Sequence, residues 1–201
     1  MYLGIDPSVL SMGVVSLHDN QVEGFTIGAS LDEYRGIESA TVQDLVRVTE
    51  ICEYLARYVR RCNPVAVAVE GGALGRQLNR FLQTGILHAL VYETVIANMI
   101  SGNVITVSPK SRAKFCSGNG NAGKDEVVEA VSRKWFKGKQ LFGRNSDLYD
   151  AFGLAVCARE IHNFGRLSKI KFDCVSVLRG NVVGVSRSIK AKVSDSVRFE
   201  L

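Results

Sequence analysis

Val65-Ala66-Val67-Ala68-Val69-Glu70-Gly71-Gly72 is the stretch from which the fold can be read. Five apolar residues in succession, three of them β-branched, describe a strand buried on both faces rather than one side of an amphipathic hairpin. A strand of that kind sits inside a sheet covered by helices, and the flanking sequence supplies them. Before it, Val42, Leu45, Val48, Cys52, Leu55 and Val59 recur at steps of three and four, with Asp44, Arg47, Glu50, Glu53, Arg57 and Arg60 between them. This predicts an amphipathic helix over 41–61, stopped at Asn63-Pro64. After it, residues 76–99 have a helical pattern with an interruption expected at Gly85, and Val104–Val107 forms a second buried strand ended by Ser108-Pro109.

Further out, Tyr2–Asp6 is a short apolar run, and 13–18 and 22–27 read as a hairpin turning at Asp19-Asn20. Downstream come a short basic helical stretch over 110–116, a Gly/Asn loop over 117–123 and a helix over Lys124–Phe136. A nearly apolar helix over 147–161 follows, for which Ser146 is the expected N-cap. Beyond 165 the pattern becomes β-like at Lys169–Leu178, Val182–Ser186 and Ser196–Leu201. Antiparallel strands first and β-α-β alternation afterwards predict an α/β protein. Its mixed five-stranded sheet carries helices on both faces over residues 1–165. A basic, β-rich extension follows over 166–201.

The chain has 201 residues, 46% hydrophobic and 22% charged, with 3 Pro and 19 aperiodic Gly, which excludes collagen and a disordered chain. No apolar run is long enough to span a membrane. The opening Met1–Asp6 lacks a basic region followed by a long apolar one. The expectation is a cytoplasmic protein without a membrane partner. Cys52, Cys62, Cys116, Cys157 and Cys174 show no metal-binding spacing and read as free thiols of a reducing compartment. Charge is distributed in blocks. Residues 1–108 carry 7 Lys+Arg against 11 Asp+Glu, residues 109–145 carry 9 against 3, and residues 166–201 carry 8 against 3. A basic block and a basic tail beside acidic regions suit a polyanion partner.

Two buried strands end in a carboxylate, Asp6 and Glu70, at the strand ends where open α/β sheets bind ligands. Asp147 and Asp150 share one face at the start of the last core helix, surrounded by Leu148, Ala151, Phe152, Leu154 and Ala155. Acids on a buried helix are costly unless paired or metal-bound. Four carboxylates in one cleft repel each other, and Mg²⁺ would relieve that while taking phosphate oxygens as its remaining ligands. Two such ions can stabilise the attacking and leaving oxygens of phosphodiester hydrolysis.

At these residues the chain resembles a known family. Gly4-Ile5-Asp6-Pro7-Ser8, with Gly13 following, is similar to the first motif of RuvC-type Holliday junction resolvases, and Val67-Ala68-Val69-Glu70 to their second acidic strand. Asn119–Val127, with Gly123-Lys124 opening a helix, resembles their basic loop. Asp147-Leu148-Tyr149-Asp150-Ala151-Phe152-Gly153-Leu154-Ala155 resembles their final acidic helix. The match covers about residues 1–160. It implies a ribonuclease H-like fold, a homodimer, and cutting of four-way or other branched DNA with Mg²⁺, two ions per site, for which Mn²⁺ could substitute. By the same resemblance the metal ligands are Asp6, Glu70, Asp147 and Asp150, and the catalytic-site lysines are Lys124 and Lys114. Lys110, Arg112, Lys114 and Lys124 are the expected DNA contacts of the basic block. Arg76 and Arg80, one helical turn apart, join them. Family members often place an aromatic just after the second acid; here Gly71-Gly72-Ala73-Leu74 follows, and the first aromatic is Phe81. Members with altered loops occur in phages, and fork or flap cutting is a corresponding expectation.

Other readings compete. Gly118–Lys124 fits a phosphate-binding loop in spacing, but Asp125 stands where Mg²⁺ binding needs Ser or Thr. A sugar-kinase-type or chaperone-type ATPase needs a duplicated second half that 201 residues hardly hold. A non-catalytic branched-DNA-binding protein of the same fold would have little use for four acids that repel DNA. A nuclease acting on RNA–DNA hybrids stays open. His18, His88 and His162 lie in regular elements, and no serine sits on an exposed nucleophile elbow. Trp135-Phe136 beside Lys134 and Lys137 would either stack on a base or anchor a helix end.

Overall fold

Period-two alternation along two short strands decides which face of the sheet can carry acids. The computed structural model describes residues 1–19, 21–28, 36, 39–72, 78–164, 172–178 and 181–186. Within them lie β1 (Tyr2–Asp6), β2 (Met12–His18), β3 (Gln21–Ile27), α1 (Ala40–Cys62), β4 (Ala66–Glu70), α2 (Leu78–Asn98) and β5 (Ser101–Val107). After these come α3 (Pro109–Ser117), α4 (Lys124–Trp135), α5 (Ser146–Phe164), β6 (Phe172–Leu178) and β7 (Asn181–Ser186). The strands form one mixed sheet in the order β3-β2-β1-β4-β5-β6-β7. β1, β4 and β5 are parallel at its centre, and antiparallel strands complete both sides.

This is the expected α/β architecture, a mixed sheet covered on both faces. The two strands of the C-terminal extension continue the same sheet: β6 pairs with β5 from Val107↔Phe172 to Ser101↔Leu178. The strand expected over 196–201 lies outside the described residues.

Leu3, Ile5, Val67 and Val69 enter the core beneath α1 and α2. The residues between them, Gly4, Ala66 and Ala68, turn to the other face, where α5 packs. On that face α5 buries Leu148, Tyr149, Asp150 and every residue from Ala151 to Ala158. α1 presents Val48, Ile51, Leu55 and Val59, all buried, to its side of the sheet. Each such side chain contributes about 1.5–3 kcal/mol. Ser39 caps the start of α1 by accepting from the Val42 amide, and Asn63 ends it in a left-handed conformation, ahead of Pro64.

Two local expectations are corrected. α2 runs unbroken through Gly85, because the buried stripe Leu87, Val91 and Val95 outweighs the ~1 kcal/mol that a helical glycine costs. At the start of α5 the cap is Asn145, whose Oδ1 accepts from the Leu148 amide at 3.3 Å. Ser146 is the first helical residue instead. No disulfide joins the five cysteines. No helix among the described residues is long and apolar enough to cross a membrane.

Candidate active site

Asp6 is the last residue of β1 and Glu70 the last of β4. The two strands pair in parallel with Ile5 opposite Val69, so the carboxylates leave the sheet side by side. By alternation both lie on the α5 face. The helix can reach them because glycines, Gly4 of β1 and Gly13 of β2, stand beneath its first turns. A Cβ on Gly4 would land on the Ala151 carbonyl and the Ala155 amide, and one on Gly13 on the Asp147 carbonyl. This close approach seats the first turns of α5 over the strand ends, and the three-residue spacing directs Asp147 and Asp150 to the same side.

The four acids differ in their neighbours. Asp150 is buried, 4% exposed, and accepts from Nη1 of Arg112. Glu70 accepts from Nε of the same guanidinium. Asp147 accepts from Lys124 Nζ at 3.0 Å, with the Ser146 hydroxyl alongside. Asp6 has no hydrogen-bond partner among the described residues. Its carboxyl is pushed up to about 8, first by burial and then by the charges of Glu70 and Asp150, against the pull of Arg112. Asp150 is raised to about 6, because burial outweighs its guanidinium partner. Lys124 is raised mainly by its hydrogen bond to Asp147. Among the described residues four acids face two cations, a surplus of negative charge.

Carboxylate oxygens are the donor set that Mg²⁺ and Mn²⁺ prefer. Asp6, unpaired and raised, marks where that surplus is least compensated. The chemistry of the site therefore fits a divalent cation. Among the described residues, however, no three Asp, Glu, His or Cys side chains are gathered as a ready cation site. Arg112 supplies a reason, since it holds one oxygen of Glu70 and one of Asp150.

The basic residues separate into two groups. Lys110 and Lys114 are exposed and lie four apart on α3, and Lys124 is exposed at the N-terminus of α4. Arg112, expected on the DNA, is instead buried, 8% exposed, between the acids. Arg76 lies outside the described residues; Arg80 lies in α2, but its side chain is outside the described set. Gly120 packs its backbone against Lys110 and Lys114, folding the Gly/Asn loop over α3. Trp135 packs edge-on against Phe152 and beneath Lys134, the helix-anchoring alternative.

Sequence reasoning gave one supporting residue, Arg112, the wrong direction and missed another, Arg47. Arg112 stood between two lysines in a basic stretch, and the one signal of its inward direction was its place beside Ala113 on the Cys116 side of the helix. Arg47 was placed on the polar face of α1. It is buried, pairs with Asp44 at 3.2 Å and donates to the Val9 carbonyl at 3.4 Å, holding the loop that follows Asp6. A groove of about 690 Å³ between β3 and α1, lined by Phe25, Tyr54, Arg57, Tyr58 and Arg61, lies on the opposite face of the sheet from α5.

No family model matches the chain. Over 197 residues it is 24% identical to the crossover junction endodeoxyribonuclease RuvC of Cytophaga hutchinsonii, spanning 96% of this chain and 90% of that protein. It is 26% identical over 155 residues to the protein of the same name from Chlorobaculum parvum, spanning 77% and 79%. Among solved structures, T. thermophilus RuvC in complex with a Holliday junction substrate superposes with a TM-score of 0.61 at 22% identity, covering 81% of this chain and 94% of that one. A Thermus thermophilus RuvC structure gives 0.59 at 24% identity, covering 81% and 95%. The chain has the RuvC fold and is similar in sequence to RuvC-type resolvases along nearly its whole length.

Proposed function

We propose that this chain is a Holliday junction endonuclease, cutting branched DNA by phosphodiester hydrolysis. The observation that carries the reading is the convergence of four carboxylates from three elements, Asp6 of β1, Glu70 of β4 and Asp147 and Asp150 of α5, beside the lysine at the start of α4. Relatives named as crossover junction endodeoxyribonucleases, similar over 96% and 77% of this chain, support it.

Asp6, Glu70, Asp147 and Asp150 would hold the divalent cation. Mg²⁺, as one ion or two, would supply Lewis-acid stabilisation of the scissile phosphate and lower the pKa of the attacking water. The chain's own residues do the rest. Lys124 places an ammonium beside Asp147 at a helix N-terminus, a combination that suits a phosphate oxygen and the charge developing on it. Lys110 and Lys114 present an exposed basic edge that would hold the DNA backbone next to the acids. Arg76 and Arg80 would add further contacts to the DNA. A homodimer related by a two-fold axis would set two sites against two symmetry-related strands of a junction. The catalytic machinery would lie within residues 1–165, with 166–201 as a basic extension, in a cytoplasmic protein.

The test is nicking of a labelled four-way junction, a fork and a linear duplex, each in Mg²⁺ and in EDTA. The expected result is paired, symmetric nicks on the junction, abolished by EDTA. Equal cutting of the fork would widen the reading to a general branch nuclease. Tight junction binding without cutting in Mg²⁺ or Mn²⁺ would reject the enzyme.

A further inference from the structure

We infer that Arg112 is an internal counter-cation that occupies the place of a divalent ion between Glu70 and Asp150 and must yield at least one of these carboxylates before a metal can bind there. The inference rests on the metal-nuclease reading and adds a residue to its machinery. Three observations carry it. First, Arg112 bridges the two acids, donating from Nε to Glu70 and from Nη1 to Asp150. These acids come from different elements, β4 and α5, so the guanidinium ties strand to helix at the site.

Second, the guanidinium is built in. Arg112 is 8% exposed, and its stem passes the bare face of Gly153, where a Cβ would stand 3.6 Å from Cγ. Its amide continues α3 from the Ser108 carbonyl, and Ser108 caps that helix through the Ser111 amide. A surface side chain that had drifted onto an acid would not be packed in this way.

Third, the charge count fits. With Arg112 on Glu70 and Asp150 and with Lys124 on Asp147, Asp6 has no hydrogen bond or ion pair among the described residues, which also hold no ready three-ligand site. The guanidinium keeps the metal-free cleft folded by supplying the positive charge that four carboxylates require. For the same reason it competes with the ion. Arg112 therefore acts as a positioning residue: it pre-sets Glu70 and Asp150 and sets the threshold concentration of metal.

The experiment is Mn²⁺ titration of the full chain without DNA, followed by electron paramagnetic resonance, for the parent, Arg112→Met and Arg112→Lys. Far-UV circular dichroism checks that each variant folds. Removing the competing charge should tighten Mn²⁺ binding at least about tenfold in Arg112→Met. Arg112→Lys should lie between that variant and the parent, because a single ammonium cannot bridge both acids as the guanidinium does. In EDTA the Arg112→Met chain should melt below the parent, and Mn²⁺ should restore it. If Arg112→Met does not fold, Arg112→Lys decides alone. Binding by Arg112→Lys no tighter than by the parent would overturn the inference while leaving the metal-nuclease reading in place. Absence of Mn²⁺ binding in all three chains at millimolar ion would overturn both.

Discussion

Asp6 and Asp150 are acids held above their ordinary range by burial, in a cleft shared with Glu70, Asp147, Arg112 and Lys124. Their folded-state values, about 8 and about 6, exceed the unfolded value of 3.8, so the metal-free folded chain binds more protons than the unfolded one. The stability this confers is complete below about pH 4 and is lost as pH rises through about 6 for Asp150 and about 8 for Asp6. Thermal melts in EDTA should therefore fall steadily from pH 5 to pH 9. Asp6→Asn should remove the part of that slope above about pH 6 and raise the metal-free melting temperature at pH 8, while a slope unchanged by Asp6→Asn would contradict the assignment. Asp150→Asn is a different experiment, because it keeps the shape and removes a charge that Arg112 needs. Junction nicking should drop by at least about a hundredfold with junction binding retained, since even groups outside the ligand set of a metal site cost 10–100-fold when removed. At this scale the positions of the four acids and of Lys124 were legible, because Asp6 and Glu70 end apolar runs, Lys124 ends a Gly-rich loop, and Asp147 and Asp150 open a nearly apolar helix three residues apart. Arg112 was not, because the sequence shows its charge and hides its direction. In a nine-residue helix bearing lysines on both sides, only packing against Gly153 and Cys116 distinguishes the inward cation from the outward ones.

Two elements do the positioning. α5 is held over β1 and β2 with backbone in near contact, and Gly4 is what permits it. Gly4→Ala places a methyl group against helix backbone, which has no rotamer to yield, so either the helix lifts or the strand shifts. Urea unfolding should show a loss of at least about 3 kcal/mol, the upper range of overpacking costs, and nicking should be lost with it. Retained stability would mean that α5 sits further from the sheet than described. α3 is two-sided, with Arg112, Ala113 and Cys116 inward and Lys110 and Lys114 outward. Lys110→Ala and Lys114→Ala should each weaken binding to any DNA and reduce the salt dependence of log affinity by about one unit of slope, without changing the preference among sequences. A change in preference with no change in slope would place these lysines on bases instead of phosphates. Existence and order of these elements followed from periodicity. Their ends did not always follow, since Asn145 rather than Ser146 caps α5 and α2 ignores Gly85. Both outcomes depend on tertiary burial, which a local pattern does not contain.

At the scale of the whole molecule, the question is where the folding unit ends. Composition suggested a boundary near 165, and the acids and α5 all lie before it. β6 nevertheless extends the sheet beside β5, burying Phe172 and Cys174 with Ile105, Val107 and Ile161 on one face and Val177 in the core on the other. A chain ending at Phe164 would expose the edge of β5 and that apolar surface. Three buried side chains at about 1.5–3 kcal/mol each are comparable with the whole stability of a domain, about 5–15 kcal/mol. Such a chain should be insoluble or unfolded, because a bare hydrophobic edge strand pairs with other copies. A chain ending at Ser186 keeps β6 and β7 and removes Arg187, Lys190, Lys192 and Arg198 against Asp195 and Glu200. It should bind junction DNA more weakly with a shallower salt dependence. Equal binding by both lengths would remove the last segment from the DNA surface. A soluble, nicking-competent chain ending at Phe164 would show that the sheet needs neither β6 nor β7, and that the extension acts on DNA or on a second copy rather than on the fold.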